Sequence, residues 1–121
     1  MAKWLVALLI SVGHTYGVPG WLLVRLAWVE SRGNVHVHDS SKGAQGLMQL
    51  MPSIQRHYGV NDPWNPEQSA AASAKYLRSM HHRLGSWRRA VGGYGCGEAR
   101  ADSCDSYVRL VFREHKGANR K

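Results

Sequence analysis

Apolar residues recur every three or four positions through much of this chain, and that spacing predicts helices rather than strands. From Gly20 to Ser31 the run GWLLVRLAWVES sets Leu23, Leu26 and Ala27 on one side of a helix, and Glu30 continues that row. Upstream, Trp4 to Val12 is apolar behind Lys3, which suits a first amphipathic helix from Ala2 to about Tyr16, closed by Gly17. The same run has the charged start and apolar middle of a secretion signal, but no clear small-x-small cleavage site follows, and it is too short to span a membrane as a helix. Pro19 suits the first turn of the second helix, where its missing N–H costs nothing. Asn34 to Gly46 reads as an irregular loop with room for a small β-hairpin. Pro52 opens a short helix to Tyr58, stopped by Gly59. Asn65 caps the longest helix, with Pro66 first and Glu67 in its opening turn, to about Arg83 before Gly85. Ser86 caps the next, through Val91, and Asp102 or Ser103 caps the last, to about His115. Helices joined by short polar loops indicate a mainly α fold.

The 121 residues suit one domain, 1–115, with a basic tail, 116–121. Sixteen Lys and Arg against eight Asp and Glu give a formal net charge of +8. That balance draws the protein toward polyanions such as nucleic acid, anionic membrane or the acidic polymers of a bacterial wall, without choosing among them. Cys96 and Cys104 flank a short polar segment. A disulfide there would add roughly 2 to 3 kcal/mol and imply an oxidising compartment, whereas free thiols would fit a cytosolic protein. Zinc is disfavoured, because the cysteines lack paired-ligand spacing and no histidine is near them in sequence. The seven histidines, including His36, His38, His81 and His82, also lack acidic or Cys partners at ligand spacing. No metal site is expected.

Glu30 carries the candidate chemistry. A carboxylate among apolar neighbours loses hydration and tends to keep its proton, which is how a general acid is made. The plainer alternative is a solvated residue at a helix end, since Arg32 and Gly33 follow at once. A second carboxylate close by would allow paired acid–base chemistry. Asp39 is the only other acid close in sequence, and its loop suggests solvation.

Four blocks then fall in one order: Glu30-Ser31-Arg32-Gly33; Gly43-Ala44-Gln45-Gly46-Leu47-Met48-Gln49-Leu50-Met51-Pro52; Asn65 to Leu77; and Ala90-Val91-Gly92-Gly93-Tyr94-Gly95-Cys96-Gly97. Together they resemble the catalytic domain of the soluble lytic transglycosylases, relatives of goose-type lysozyme, from about Val12 to Val111. The resemblance implies a mainly α, lysozyme-like single domain with Glu30 as the catalytic acid and then base, and no cofactor. It places Ser31, Met48, Gln49 and Tyr94 at the substrate. Met48 could equally be core, Ser31 a helix-end residue and Tyr94 a buried aromatic. The family's Ala-Tyr-Asn-Ala-Gly block is altered, because Gly95 stands where the asparagine belongs.

The resemblance thus implies cleavage of the β-1,4 bond between N-acetylmuramyl and N-acetylglucosaminyl residues of peptidoglycan, leaving 1,6-anhydro ends. The expected setting is the periplasm or outside the cell, alone or with phage tail, secretion or conjugation machinery. Peptidoglycan is the expected partner, with a monomeric protein and no nucleic acid. The alternatives are a lysozyme-type hydrolase that uses water and a non-catalytic module that binds wall polymer.

Overall fold

The computed structural model describes residues 1–37 and 42–113. They form two compact units, Met1–Tyr76 and the residues from Leu77 onward. His38, Asp39 and the basic tail expected over 116–121 lie outside the described residues.

The first unit begins with α1 (Lys3–Tyr16) and α2 (Gly20–Ser31), packed against each other. Gly17 closes α1 in the left-handed conformation at φ 73°, its N–H donating to the Gly13 carbonyl, as a helix C-terminus commonly does. Pro19 sits one position earlier than expected. It is the N-cap of α2, and its carbonyl accepts from the N–H groups of Leu22 and Leu23. The buried rows of the two helices are Leu5 and Leu9 on one, Leu22, Leu23, Leu26 and Ala27 on the other. Each fully buried leucine contributes roughly 1.5 to 3 kcal/mol by leaving water, which makes this pair the base of the unit.

Between α2 and α3 (Pro52–His57) the described residues are irregular. A single antiparallel bridge pairs Gln45 with Leu50, and no strand forms among the described residues, so the hairpin is reduced to one turn. Helix α4 (Pro66–Leu84) opens as its sequence requires, with the Asn65 side chain accepting from the Gln68 N–H at 3.0 Å.

The second unit holds the last turns of α4, then α5 (Trp87–Cys96), a 3-10 helix (Glu98–Ser103) and α6 (Asp105–Phe112). Ser86 caps α5 through its hydroxyl, which accepts from the Arg89 N–H at 3.1 Å. The helix runs past Val91 to Cys96, although glycine is a poor helix former. Packing decides the matter: a Cβ on Gly92 would lie 2.2 Å from the Ala101 carbonyl oxygen, so only glycine lets α5 rest against the 3-10 helix.

Neither expected residue caps α6. Asp102 is taken by a two-pronged pair with Arg89, at 2.8 and 2.9 Å, and the Ser103 hydroxyl donates to the Arg100 carbonyl. Cys104 occupies the N-cap without a side-chain bond, and α6 ends at Phe112, short of the expected His115. A disulfide joins Cys96 to Cys104, with Cα atoms 5.9 Å apart, and so ties the end of α5 to the start of α6. No helix among the described residues is long and apolar enough to cross a membrane.

Candidate active site

Glu30 lies in the last turn of α2, half-buried, directly after the buried row Leu23, Leu26 and Ala27. The helix stops immediately beyond it. Arg32 adopts the left-handed conformation at φ 58°, the N–H groups of Arg32 and Gly33 return to the Trp28 and Ala27 carbonyls, and the Arg32 guanidinium stands 5.0 Å from the Trp28 ring. Glu30 is thereby held on a finished helix end rather than a fraying one.

Ser31 is buried, and its hydroxyl donates to the Ala27 carbonyl at 3.1 Å. This back-bond fixes the turn that carries Glu30. The next segment bends at Asn34, whose side-chain oxygen accepts from the His36 N–H at 2.9 Å. Val37, a few residues beyond Glu30, then meets the glycine-rich turn. Its carbonyl accepts from the Gly46 N–H at 2.9 Å and from Gln49 Nε2 at 3.3 Å.

Gly46 is irreplaceable on two counts. Its φ is 79°, and a Cβ would sit 2.1 Å from the Pro63 carbonyl oxygen. The glycine therefore admits another part of the protein's own backbone. Met48 is fully buried, as core packing requires. Gln49 is half-buried with an uncommon φ of 51°, and its Nε2 donates to both the Gly46 and Val37 carbonyls. Its amide group thus straps the turn to the segment after Glu30.

Gln55, on α3, was not a candidate in the sequence, where an amide in a short helix carries no signal. It is 8% exposed, and its Nε2 donates to the Leu50 carbonyl at 2.8 Å and to Gln45 Oε1 at 3.1 Å, across the base of the turn that holds Met48 and Gln49. In the first unit, then, the segment that follows Glu30 and Ser31 is hydrogen-bonded at Val37 to the turn that carries Met48 and Gln49, and Gln55 bonds across the base of that turn. The other described acids of this unit, Asp62 and Glu67, are exposed.

Tyr94 stands in the second unit, half-buried on α5. The glycine that follows it has a steric cause. A Cβ on Gly95 would come within 2.4 Å of the Tyr107 ring, so an asparagine could enter only if that ring moved away. The Tyr107 ring occupies the space that a side chain at position 95 would need. Elsewhere in this unit His81 stacks on Trp87 with ring centroids 3.9 Å apart, and its Nδ1 is buried without a hydrogen-bond partner among the described residues.

The family profile described as Transglycosylase SLT domain matches residues 8–109. The chain is 39% identical over 67 residues to membrane-bound lytic murein transglycosylase F 2 of Alkalilimnicola ehrlichii, covering 55% of this chain and 15% of that protein. It is 33% identical over 87 residues to a transglycosylase of Enterobacteria phage PRD1, covering 72% and 32% respectively. The chain therefore spans a third or less of the length of these relatives. Among solved structures, lytic transglycosylase Slt of Pseudomonas aeruginosa, in an inactive mutant form, superposes with a TM-score of 0.74 at 21% identity over 88% of this chain and 22% of that one. The 70 kDa soluble lytic transglycosylase of Escherichia coli superposes with a TM-score of 0.73 at 20% identity over the same shares. These structures share the lysozyme-like fold of this chain.

Proposed function

Because the chain belongs to the Transglycosylase SLT domain family, which accounts for residues 8–109 of it, we propose that it cleaves peptidoglycan as a lytic transglycosylase. The bond broken is the β-1,4 linkage after N-acetylmuramyl residues. The observation that supports this reading is Glu30 on a closed helix end, with the segment that follows it tied at Val37 to the Gly46–Gln49 turn, inside that match.

Glu30 donates its proton to the glycosidic oxygen as the bond to the anomeric carbon breaks. The substrate's acetamido oxygen stabilises that carbon from the other face. The Glu30 carboxylate then takes the proton of the same sugar's 6-hydroxyl, whose oxygen attacks the anomeric carbon and closes the 1,6-anhydro ring. One carboxylate suffices for both steps, and Asp62 and Glu67, the other described acids of the first unit, are exposed. Ser31, Met48, Gln49 and Tyr94 serve the substrate side. Gln49 and Met48 do so by fixing the turn that follows Gly46, and Tyr94 through its hydroxyl.

A tethered hydroxyl held in line outruns water by orders of magnitude, which favours the internal nucleophile over hydrolysis. Digestion of purified peptidoglycan in oxygen-18 water should give fragments one water lighter than hydrolytic products, with no heavy oxygen at the new end. Glu30→Gln should lower turnover at least about a hundredfold while the fold is kept. Labelled reducing ends as the main product would make the protein a hydrolase, and lysis by Glu30→Gln at the parental rate would remove Glu30 from the chemistry. The disulfide supports action outside the reducing cytoplasm, at the wall. The phage relative supports a wall-opening role in phage entry or release, with secretion and conjugation machines as the other settings that need one.

A further inference from the structure

Helix α5 ends in Gly92-Gly93-Tyr94-Gly95-Cys96, so Tyr94 has glycine on both sides. Glycine loses more backbone freedom on folding than any other residue, which makes this stretch a poor helix by itself. The hydrogen-bond ladder nevertheless closes there, with the Gly97 N–H donating to the Gly93 carbonyl at 2.9 Å. Packing from other elements has to hold it.

That packing is close because the glycines are bare. Gly92 rests on the Ala101 carbonyl, and a Cβ on Gly93 would meet Met80 Sδ at 2.9 Å and Leu84 Cδ1 at 3.3 Å. A Cβ on Gly95 would meet three carbons of one ring, Tyr107 Cδ2, Cε2 and Cγ, at 2.4, 2.6 and 2.8 Å. The Tyr107 ring therefore lies directly on the Gly95 Cα. Met80 and Leu84 offer the ends of flexible side chains, whereas the Tyr107 ring is rigid and its Cγ shifts only if χ1 turns or α6 moves. The Cys96–Cys104 bridge restrains α6, since Cys104 immediately precedes that helix and Tyr107 stands in its first turn. Of the neighbours of Tyr94, Gly95 thus has the stiffer support.

We propose that Tyr107 is a positioning residue for Tyr94: its ring, seated on Gly95, fixes the backbone turn from which Tyr94 presents its hydroxyl to the glycan. The proposal rests on the reading of the chain as a lytic transglycosylase with Tyr94 at the substrate. Tyr107 acts through its neighbour and needs no contact with the sugar. The tyrosine hydroxyl stands at the far end of a long side chain, so a small rotation of the backbone beneath it is magnified there. A misplacement of about 1 Å can cost on the order of a hundredfold in rate.

The test is a set of rate measurements on solubilised peptidoglycan strands, at a temperature well below the Tm of every variant. Tyr107→Ala should lower kcat roughly tenfold with KM nearly unchanged, while Tyr107→Phe, which keeps the ring carbons that meet Gly95, should turn over as the parent does. Gly95→Ala should also lower kcat, although alanine is the better helix former, because its Cβ pushes the ring off. Tyr94→Phe removes the hydroxyl, and in that background Tyr107→Ala should cost no further kcat. A loss that came only from weaker folding would recur in both backgrounds. Parental kcat for Tyr107→Ala, or an equal fold-loss with and without the Tyr94 hydroxyl, would overturn the proposal and leave the lytic reading standing. So would a Tyr94→Phe variant as fast as the parent. A parent that releases no anhydro-ended fragments would overturn the reading itself, and this role with it.

Discussion

His81 shows how far one side chain's surroundings carry beyond its type. Burial first, then the charges of Arg78 and His82, lower its pKa from the ordinary 6.5, while its ring stays stacked on Trp87. The unfolded chain therefore takes up this proton more readily than the folded one. The contribution of the neutral ring to stability is full above pH 6.5 and is lost as the pH falls through the lowered folded value. His81→Phe keeps an aromatic face on Trp87 and removes the titration. Its Tm should fall less than the parent's on acidification below pH 6.5, and parallel curves would place the acid sensitivity elsewhere. Ser31 and Gln49 carry the same lesson in hydrogen bonds, since both direct donors to backbone carbonyls of the protein itself.

Between elements, the decisive tie in the first unit is Gln55, which joins α3 to both sides of the Gln45–Leu50 turn. Replacing it with leucine keeps the bulk and removes both hydrogen bonds, at about 0.5 to 1.5 kcal/mol each, while the Leu50 carbonyl keeps its bond from the Gln45 N–H. Gln55→Leu should therefore melt several degrees lower and turn over more slowly, because the turn carrying Met48 and Gln49 loses its support. An unchanged Tm with unchanged turnover would make the tie dispensable. In the second unit the comparable ties are covalent and steric: the Cys96–Cys104 bridge, and the close contact of Gly92 with Ala101. The exposed Arg83–Glu98 and Arg89–Asp102 pairs add little beside these.

For the molecule as a whole, the net charge of +8 would, under the proposed activity, act on how an anionic wall is found rather than on how a bond is broken. Added salt shortens the range of that attraction to a few ångströms. The rate on intact wall should accordingly fall with ionic strength through a rising KM, with kcat nearly constant. Initial rates at low and high salt distinguish the two, and a falling kcat at constant KM would contradict an electrostatic capture step.

The helices were legible because each depends on neighbours in sequence. Gly17, Asn65, Ser86 and the apolar rows of α1 and α2 act within a turn or two of themselves, and the family match over residues 8–109 follows from blocks that keep their order and spacing. The cysteine pair was legible for the same reason, being close in the chain. What depends on distant partners was not. The extension of α5 through its glycines rests on the Ala101 carbonyl, the loss of the α6 cap on Arg89, the glycine after Tyr94 on Tyr107, and the role of Gln55 on a turn in another element. Local pattern determined which segments are helical and which carboxylate ends the apolar row. Only the tertiary structure decided which polar groups hold the site together, because a hydrogen bond's worth is set by burial and by its partner, and both come from elsewhere in the chain.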